Sequence, residues 1–332
     1  MSYRPQEPGN NGIINSDVGT YAKLFNKKVD PENEGLINSV IENGYIILEK
    51  MFTEAEIEEA CQELKRLSES DAAGPASSGG RNKFEGFRTH RIYALLNKSR
   101  VFDKFVAHPK IVALNDYFLD PGWLISTFQS ITLQPGAEAQ TLHHDDGYIT
   151  VPRPHRPFGS VRFVFLIPSQ ATRASRLSQH MRFWLNRDLQ AIMISLDEYT
   201  EFNGSTVVVP KSHEWGPDPT PSRAQAVPVI MPRGSIVFFL GTLWHGGGQN
   251  KSNKERRALT VQYCQPWVRP IESQILAVDF EKLPEIPKQI VDMMGYQVGR
   301  PFIGFVDGES PLKAAQKHLE RWKKSKAMIP RL

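Results

Sequence analysis

From Trp123 onward the sequence is a succession of short β-type runs separated by turn signals, and this succession limits the folds open to the chain. Leu124 to Leu133 predicts a long strand closed by Pro135-Gly136, and Ala139 to Asp145 predicts a second. Ala191 to Leu196, Ser205 to Val209, Val227 to Met231, Ser235 to Leu240 and Ala258 to Gln265 continue the series, punctuated by Asn203-Gly204 and Pro232-Arg233-Gly234. Before Trp123 the pattern is helical. Pro31 to Asn43 carries Leu36, Ile37, Val40 and Ile41 on one stripe and stops at Gly44. Tyr45 to Leu48 predicts a short strand, and Thr53-Glu54-Ala55-Glu56 is a capping box opening a helix to about Ser68. Arg100 to Leu119 predicts two short helices divided at Pro109, and Leu312 to Lys324 a helical tail. Helices first and then many short strands predict a mainly β fold with flanking helices (α+β), built on a double-stranded β-helix (jelly-roll, cupin-like) core.

The 332 residues, 40% of them hydrophobic, suffice for a sizeable core. Residues 1–30, rich in Gly, Asn and Pro, read as a flexible N-terminal arm, and residues 31–332 as a single domain. Asp71 to Gly80 is small and polar, a loop that would serve as a lid. The net charge of +4 with no long basic run implies no nucleic-acid partner. The densest apolar run, Ile236 to Leu240, is far too short for a membrane span, and the polar N-terminus has no signal-peptide core, so a cytoplasmic protein is expected. Pro330-Arg331-Leu332 departs from a peroxisomal tripeptide at its first residue. Cys61 and Cys264 sit in apolar segments and read as buried thiols, not a disulfide.

The chemistry concentrates in Leu142-His143-His144-Asp145-Asp146-Gly147-Tyr148. Residues two apart on a strand share a face, so a His-x-Asp pair presents an imidazole and a carboxylate together. The run offers two registers, His143/Asp145 and His144/Asp146, and its flanks leave both open. A third ligand is offered by His245, which follows the apolar run and precedes Gly246-Gly247-Gly248. Two imidazoles and one carboxylate are the ligand set of a mononuclear non-heme iron site, whose open positions take cosubstrate and O2. Arg256 lies eleven residues beyond His245 and suits the distal carboxylate of 2-oxoglutarate, since a guanidinium grips a carboxylate bidentately. One of Arg256 and Arg257 is expected to be an ordinary surface charge. The cofactors that follow are Fe(II), 2-oxoglutarate as cosubstrate, and O2. His213 reads as structural, and the remaining histidines have no partner at ligand spacing. A zinc hydrolase would need a further His or Cys and a general base nearby.

Three stretches carry a resemblance. Gln140-x-Leu142-His143-x-Asp145-Asp146, Asn203-Gly204-Ser205-Thr206-Val207-Val208-Val209-Pro210-Lys211-Ser212-His213, and His245-Gly246-Gly247-Gly248-x-Asn250 with Arg256 resemble the phytanoyl-CoA dioxygenase (PhyH) family. Arg88 to Tyr93, Leu133 to Gly136, Val268 to Pro270 and Gly304 to Gly308 fit it too, so the likeness covers most of the chain from about Gly35. It is nearest to the subgroup of fungal secondary metabolism, in terpenoid, meroterpenoid and alkaloid pathways. The resemblance implies that His143, Asp145 and His245 are the metal ligands and catalytic residues. It implies Arg256 as the anchor of 2-oxoglutarate, Gln140 and Thr206 as further cosubstrate contacts, a jelly-roll fold and often a homodimer. With the carboxylate present, hydroxylation, desaturation or a related C–H oxidation of an apolar, polycyclic small molecule is expected. Substrate choice would come from the N-terminal helices, the Asp71–Gly80 loop and the segment from Tyr148 to Gly159. The competing reading is a non-catalytic jelly-roll binding protein or an inactive paralogue.

One stretch departs from the family. Val161 to Gln190 intervenes where relatives run from a loop directly into a strand, and it holds five Arg and one Asp with no Lys or Glu, the whole of the chain's net charge. It reads as an atypical insertion or a retained intron, whose Val and Gln ends supply GT and AG. Transcript reads running through codons 160 to 191 without a gap would exclude the intron.

Overall fold

The fold is set by local stop and start signals that the tertiary packing then uses. The computed structural model describes residues 30–80, 82–148, 189–216, 218–299 and 303–328. The N-terminal arm, most of the 161–190 segment, the stretch after Tyr148 and the C-terminal tripeptide lie outside these. Helix α1 (Pro31–Asn43) starts where the Asp30 side chain accepts the Glu32 N–H, with proline at its first position. It ends at Gly44, at φ 84°. A Cβ there would fall 2.5 Å from His213 Nδ1, so backbone angle and space both demand glycine. Helix α2 (Glu54–Ser68) opens with both arms of the Thr53/Glu56 capping box in place and buries Ile57, Ala60, Cys61, Leu64 and Leu67. The predicted helical pair before Trp123 is a 3-10 turn (Arg100–Phe102), one helical turn (Asp103–Val106) and α3 (Pro109–Phe118). The tail is α4 (Pro311–Met328).

The strands are β1 (Tyr45–Leu48), β2 (Thr89–Ile92), β3 (Leu124–Leu133), β4 (Leu189–Ser195), β5 (Thr206–Val208), β6 (Val227–Pro228), β7 (Ile236–Leu240), β8 (His245–Gly247) and β9 (Arg256–Cys264). They form an antiparallel six-stranded sheet in the order β1-β7-β4-β9-β3-β2 and a three-stranded sheet in the order β6-β5-β8. This is the jelly-roll architecture of the iron/2-oxoglutarate oxygenases, with helices on one outer face. Alternation decides what each face meets. Ile192, Ile194, Ile236, Phe238, Leu259 and Val261 turn outward into one core with α1, α2 and α3. Ala191, Met193, Val237, Phe239 and Ala258 turn inward, where Val208, Val229 and Met231 join them.

Several expectations are corrected here. The segment from Ala139 to Asp145 is not a strand; only His143 forms an isolated bridge, to His245. The reason is Gln140, whose side-chain Oε1 takes the Gly247 N–H at 3.1 Å in place of a main-chain partner. The strand expected over Val227 to Met231 stops at Pro228, with a single further bridge between Tyr199 and Met231. Leu189 and Gln190, assigned above to the inserted stretch, are paired residues of β4, against Cys264 and Tyr263. The N-terminal helices cover the outer face of the large sheet and do not line its interior. Nor does the Asp71–Gly80 loop; the segment from Asn82 to Thr89 does. Cys61 and Cys264 are buried and free. No helix among the described residues is long and apolar enough to cross a membrane.

Phe238 is fully buried at the centre of β7, its ring 6.0 Å from that of Phe118 on α3. Phe238→Ala is expected to cost about 3–5 kcal/mol, by lost transfer energy plus a cavity, measured as a lowered midpoint in urea unfolding.

Candidate metal centre

Two main-chain hydrogen bonds assemble the site. The His143 N–H donates to the His245 carbonyl at 2.9 Å and the His245 N–H to the His143 carbonyl at 2.8 Å. Residues that exchange both bonds sit directly opposite, with side chains on one face. The rings accordingly converge, centroids 4.4 Å apart. Asp145, two residues on, is drawn to the same point because its N–H donates to the Gly241 carbonyl at 2.8 Å. A Cβ on Gly241 would stand 2.6 Å from that of Leu189, so the packing of this turn against β4 requires glycine. Ligand atoms of His143, Asp145 and His245 all lie within 4.8 Å of one another.

The second register points elsewhere. His144 Nδ1 meets Asp146 Oδ1 at 2.5 Å and its ring stands edge-on to Trp244. His144 and Asp146 thus satisfy each other, while His143, Asp145 and His245 do not.

The tautomers are fixed. His143 Nδ1 donates to the Thr141 carbonyl and His245 Nδ1 to the Leu243 carbonyl, each at 2.9 Å. Both Nε2 atoms are left as bare lone pairs, 3.8 and 3.6 Å from Asp145 Oδ1, too far for hydrogen bonds. Burial pushes both imidazoles down to about 4, so they are neutral near pH 7. Burial likewise pushes the Asp145 carboxyl up to about 6, and its Oδ2 is buried without a partner. Neutral imidazoles with inward lone pairs and an unpartnered buried carboxylate oxygen fit a divalent cation.

Arg256 enters the same cavity, of about 1000 Å³, from β9. It is 2% exposed. Its guanidinium donates to the Tyr199 hydroxyl at 2.7 Å and the Gly204 carbonyl at 2.6 Å, both neutral, and Nε has no partner. The neighbouring Arg257 faces the other way and is held bidentately by Asp197, at 2.7 and 3.0 Å. The described residues therefore give Arg256 a buried positive charge without a carboxylate. Thr206 is buried in the same cavity, beside the Tyr199 hydroxyl. Gln140 also lines it, but both ends of its amide are engaged, Oε1 by the Gly247 N–H and Nε2 by the Phe84 carbonyl at 3.2 Å. His213 is structural as expected, its Nε2 at 3.0 Å from the Ile41 carbonyl.

Sequence reasoning missed Phe84, Gln129 and Gln262, which line this cavity, and the core residue Tyr199, which holds Arg256. Counting by twos along β9 from Arg256 reaches Thr260 and Gln262, a signal present in the sequence once the strand is accepted. Nothing local marks Phe84, whose ring stands edge-on to His143 at 4.8 Å.

Comparison with known proteins gives the family. The family model for phytanoyl-CoA dioxygenase (PhyH) matches residues 40–258. Dioxygenase FUM3 of Gibberella moniliformis is 26% identical over 77% of this chain and 80% of its own length. Dioxygenase trt7 of Aspergillus terreus is 28% identical over 76% and 77%. Among solved structures, the non-heme alpha-ketoglutarate-dependent epimerase SnoN from nogalamycin biosynthesis matches with a TM-score of 0.51 at 17% identity, covering 71% of this chain and 82% of that one. That likeness bears on the fold alone. With two-thirds of its length matched by the family model, the chain belongs to the phytanoyl-CoA dioxygenase family and is an iron- and 2-oxoglutarate-dependent oxygenase.

Proposed function

We propose that His143, Asp145 and His245 hold Fe(II), that Arg256 with Thr206 holds the far carboxylate of 2-oxoglutarate, and that the enzyme oxidises a C–H bond of a small molecule in fungal secondary metabolism. The observation that carries the reading is a buried guanidinium without an acid, in one cavity with two imidazoles and a carboxylate whose ligating atoms converge. A buried charge without a partner is costly, and a dianionic cosubstrate together with a divalent metal neutralises both deficits. Iron and 2-oxoglutarate together activate O2 for hydroxylation, desaturation or a related oxidation, with release of succinate and CO2. The protein's part is to hold, orient and exclude water. The Thr141 and Leu243 carbonyls keep both Nε2 lone pairs aimed inward. Tyr199 supports the guanidinium from its hydroxyl and from its ring face, 4.5 Å away. Gln140 belongs to the scaffold of this site, tying Gly247 to the Phe84 loop. The reading includes one domain over 31–332 and a homodimer, which the elution volume of the purified protein tests. Support for secondary metabolism is the resemblance to the fungal subgroup.

His143→Ala and His245→Ala are each expected to abolish iron-dependent conversion of 2-oxoglutarate to succinate, and turnover surviving both changes removes this site. Arg256→Gln is expected to raise the KM for 2-oxoglutarate by about 10–150-fold, the worth of one or two charge-assisted hydrogen bonds at about 1.5–3 kcal/mol. A metal must displace the proton from Asp145, whose carboxyl is pushed up to about 6. The gain in Tm on adding Fe(II) under anaerobic conditions is therefore expected to hold steady above about pH 7. Below about pH 6 it should fall, affinity dropping about tenfold per pH unit as the carboxyl protonates. A gain that stays level down to about pH 5 would mean that Asp145 is not a ligand.

A further inference from the structure

The interior faces of β3 and β9 are graded from end to end. On β9 Arg256, Thr260 and Gln262 face the cavity, and on β3 Thr127, Gln129 and Leu133 do so. Register sets Gln262 opposite Thr127 and Thr260 opposite Gln129, with Arg256 opposite Leu133 at the far end. At about 3.3 Å per residue, Gln262 lies roughly 20 Å along the strand from Arg256. If Arg256 marks the cosubstrate end, the glutamine end is left for the molecule that is oxidised.

The chemistry of that end is specific. Gln262 lines the cavity beside the Asp145 carboxylate, to which an amide can present only its NH2. A carboxylate only accepts, so the amide turns its NH2 there and leaves Oε1 over. That Oε1 is buried with no donor. Gln129 Oε1 is buried and without a donor too. Thr127 cannot serve either oxygen, because its hydroxyl is directed at Glu272 Oε2, 3.3 Å away. Two buried carbonyl oxygens that lack donors are an acceptor site awaiting a ligand. Apolar surface faces them in the same cavity, from Phe84, Phe239 and Ile271.

We propose that Gln262 and Gln129 form a hydrogen-bond-acceptor subsite, and that the substrate is a ring compound bearing a hydroxyl or N–H donor, not a wholly apolar one. Gln262 offers Oε1 to the substrate from a position beside Asp145, so it places the substrate's donor near the metal centre. The inference rests on the assignment of His143, Asp145 and His245 as iron ligands.

The test is succinate formation from 2-oxoglutarate in the iron-loaded enzyme, read as the ratio of rates with and without a probe. The probes are three rigid alcohols, borneol, cedrol and 1-adamantanol, each paired with its methyl ether. In the wild-type enzyme, alcohols are expected to raise turnover at concentrations about tenfold or more below those of their ethers, because a site built to bond a hydroxyl rejects the analogue without it. Gln262→Met and Gln129→Met are expected to shrink that preference to within about twofold, and either variant suffices should the other not fold. Ethers as effective as alcohols, a preference that survives in the variants, or no stimulation by any alcohol overturns the subsite. Failure of the wild-type enzyme to form any succinate with Fe(II) and 2-oxoglutarate overturns the ligand assignment instead, and the two failures are thereby told apart.

Discussion

The reciprocal hydrogen bonds between the main chains of His143 and His245 are the constraint on which the site depends. They join two segments about a hundred residues apart in sequence, and they do so at the proposed ligand residues themselves. Geometry at this point owes nothing to side-chain packing alone. The backbone bridge sets the spacing of the two imidazoles, and carbonyls two residues upstream of each set the ring orientation. The third ligand arrives through the Gly241 carbonyl, itself a residue of the turn between β7 and β8. All three ligands thus hang from main-chain contacts of the jelly roll. The large hydrophobic core on the other face of the sheet makes those contacts rigid.

Around that frame the interior is electrostatically incomplete. Arg256 is buried among neutral acceptors, while Arg257, one residue on, has its acid in Asp197. Asp145 keeps one oxygen without a partner, and two histidines keep their lone pairs bare. Asn250, at the rim of the same region, is by contrast fully engaged, its amide donating to the Leu133, Gln134 and Lys254 carbonyls. What sets the cavity apart is that its unpartnered groups are ionisable and converge on one space, an arrangement that costs stability and suits binding.

Much of this was legible in the sequence, and the residues explain which parts were not. α1, β1, α2 and β3 have the bounds their own signals predict, because Asp30, Gly44 and the Thr53/Glu56 box act within a few residues of the chain. The ligand candidates were legible because a His-x-Asp pair and a distant His are few in number. Alternation alone fits both registers, and the choice of His143 and Asp145 came from the resemblance in the motif around Gln140 and Leu142. In the structure the bridge to His245 and the internal pairing of His144 with Asp146 separate them. The motif strand failed because a side-chain carbonyl, that of Gln140, displaced a main-chain one, which no periodicity reveals. The Asp71–Gly80 loop does not line the cavity and the segment after it does, a difference the sequence hides because Lys83, Phe84, Glu85 and Phe87 lack the small-residue composition by which a sequence marks a loop. The glutamines were missed because a polar residue on a predicted strand reads as solvent-facing until a second sheet is known to cover it.

The pinned ligand geometry has a further consequence for metal selection. A site that must rearrange to accept a cation can discriminate by what the rearrangement costs. This one is held ready by main-chain bonds, and its two imidazoles and carboxylate suit nickel, copper and zinc at least as well as ferrous iron. For such donors intrinsic affinity rises from Fe(II) through Ni(II) to Cu(II). The donor set therefore offers little selectivity of its own, and metal availability has to supply the rest. Protein prepared over immobilised nickel, or exposed to trace zinc, would carry an inert ion in a correctly formed site.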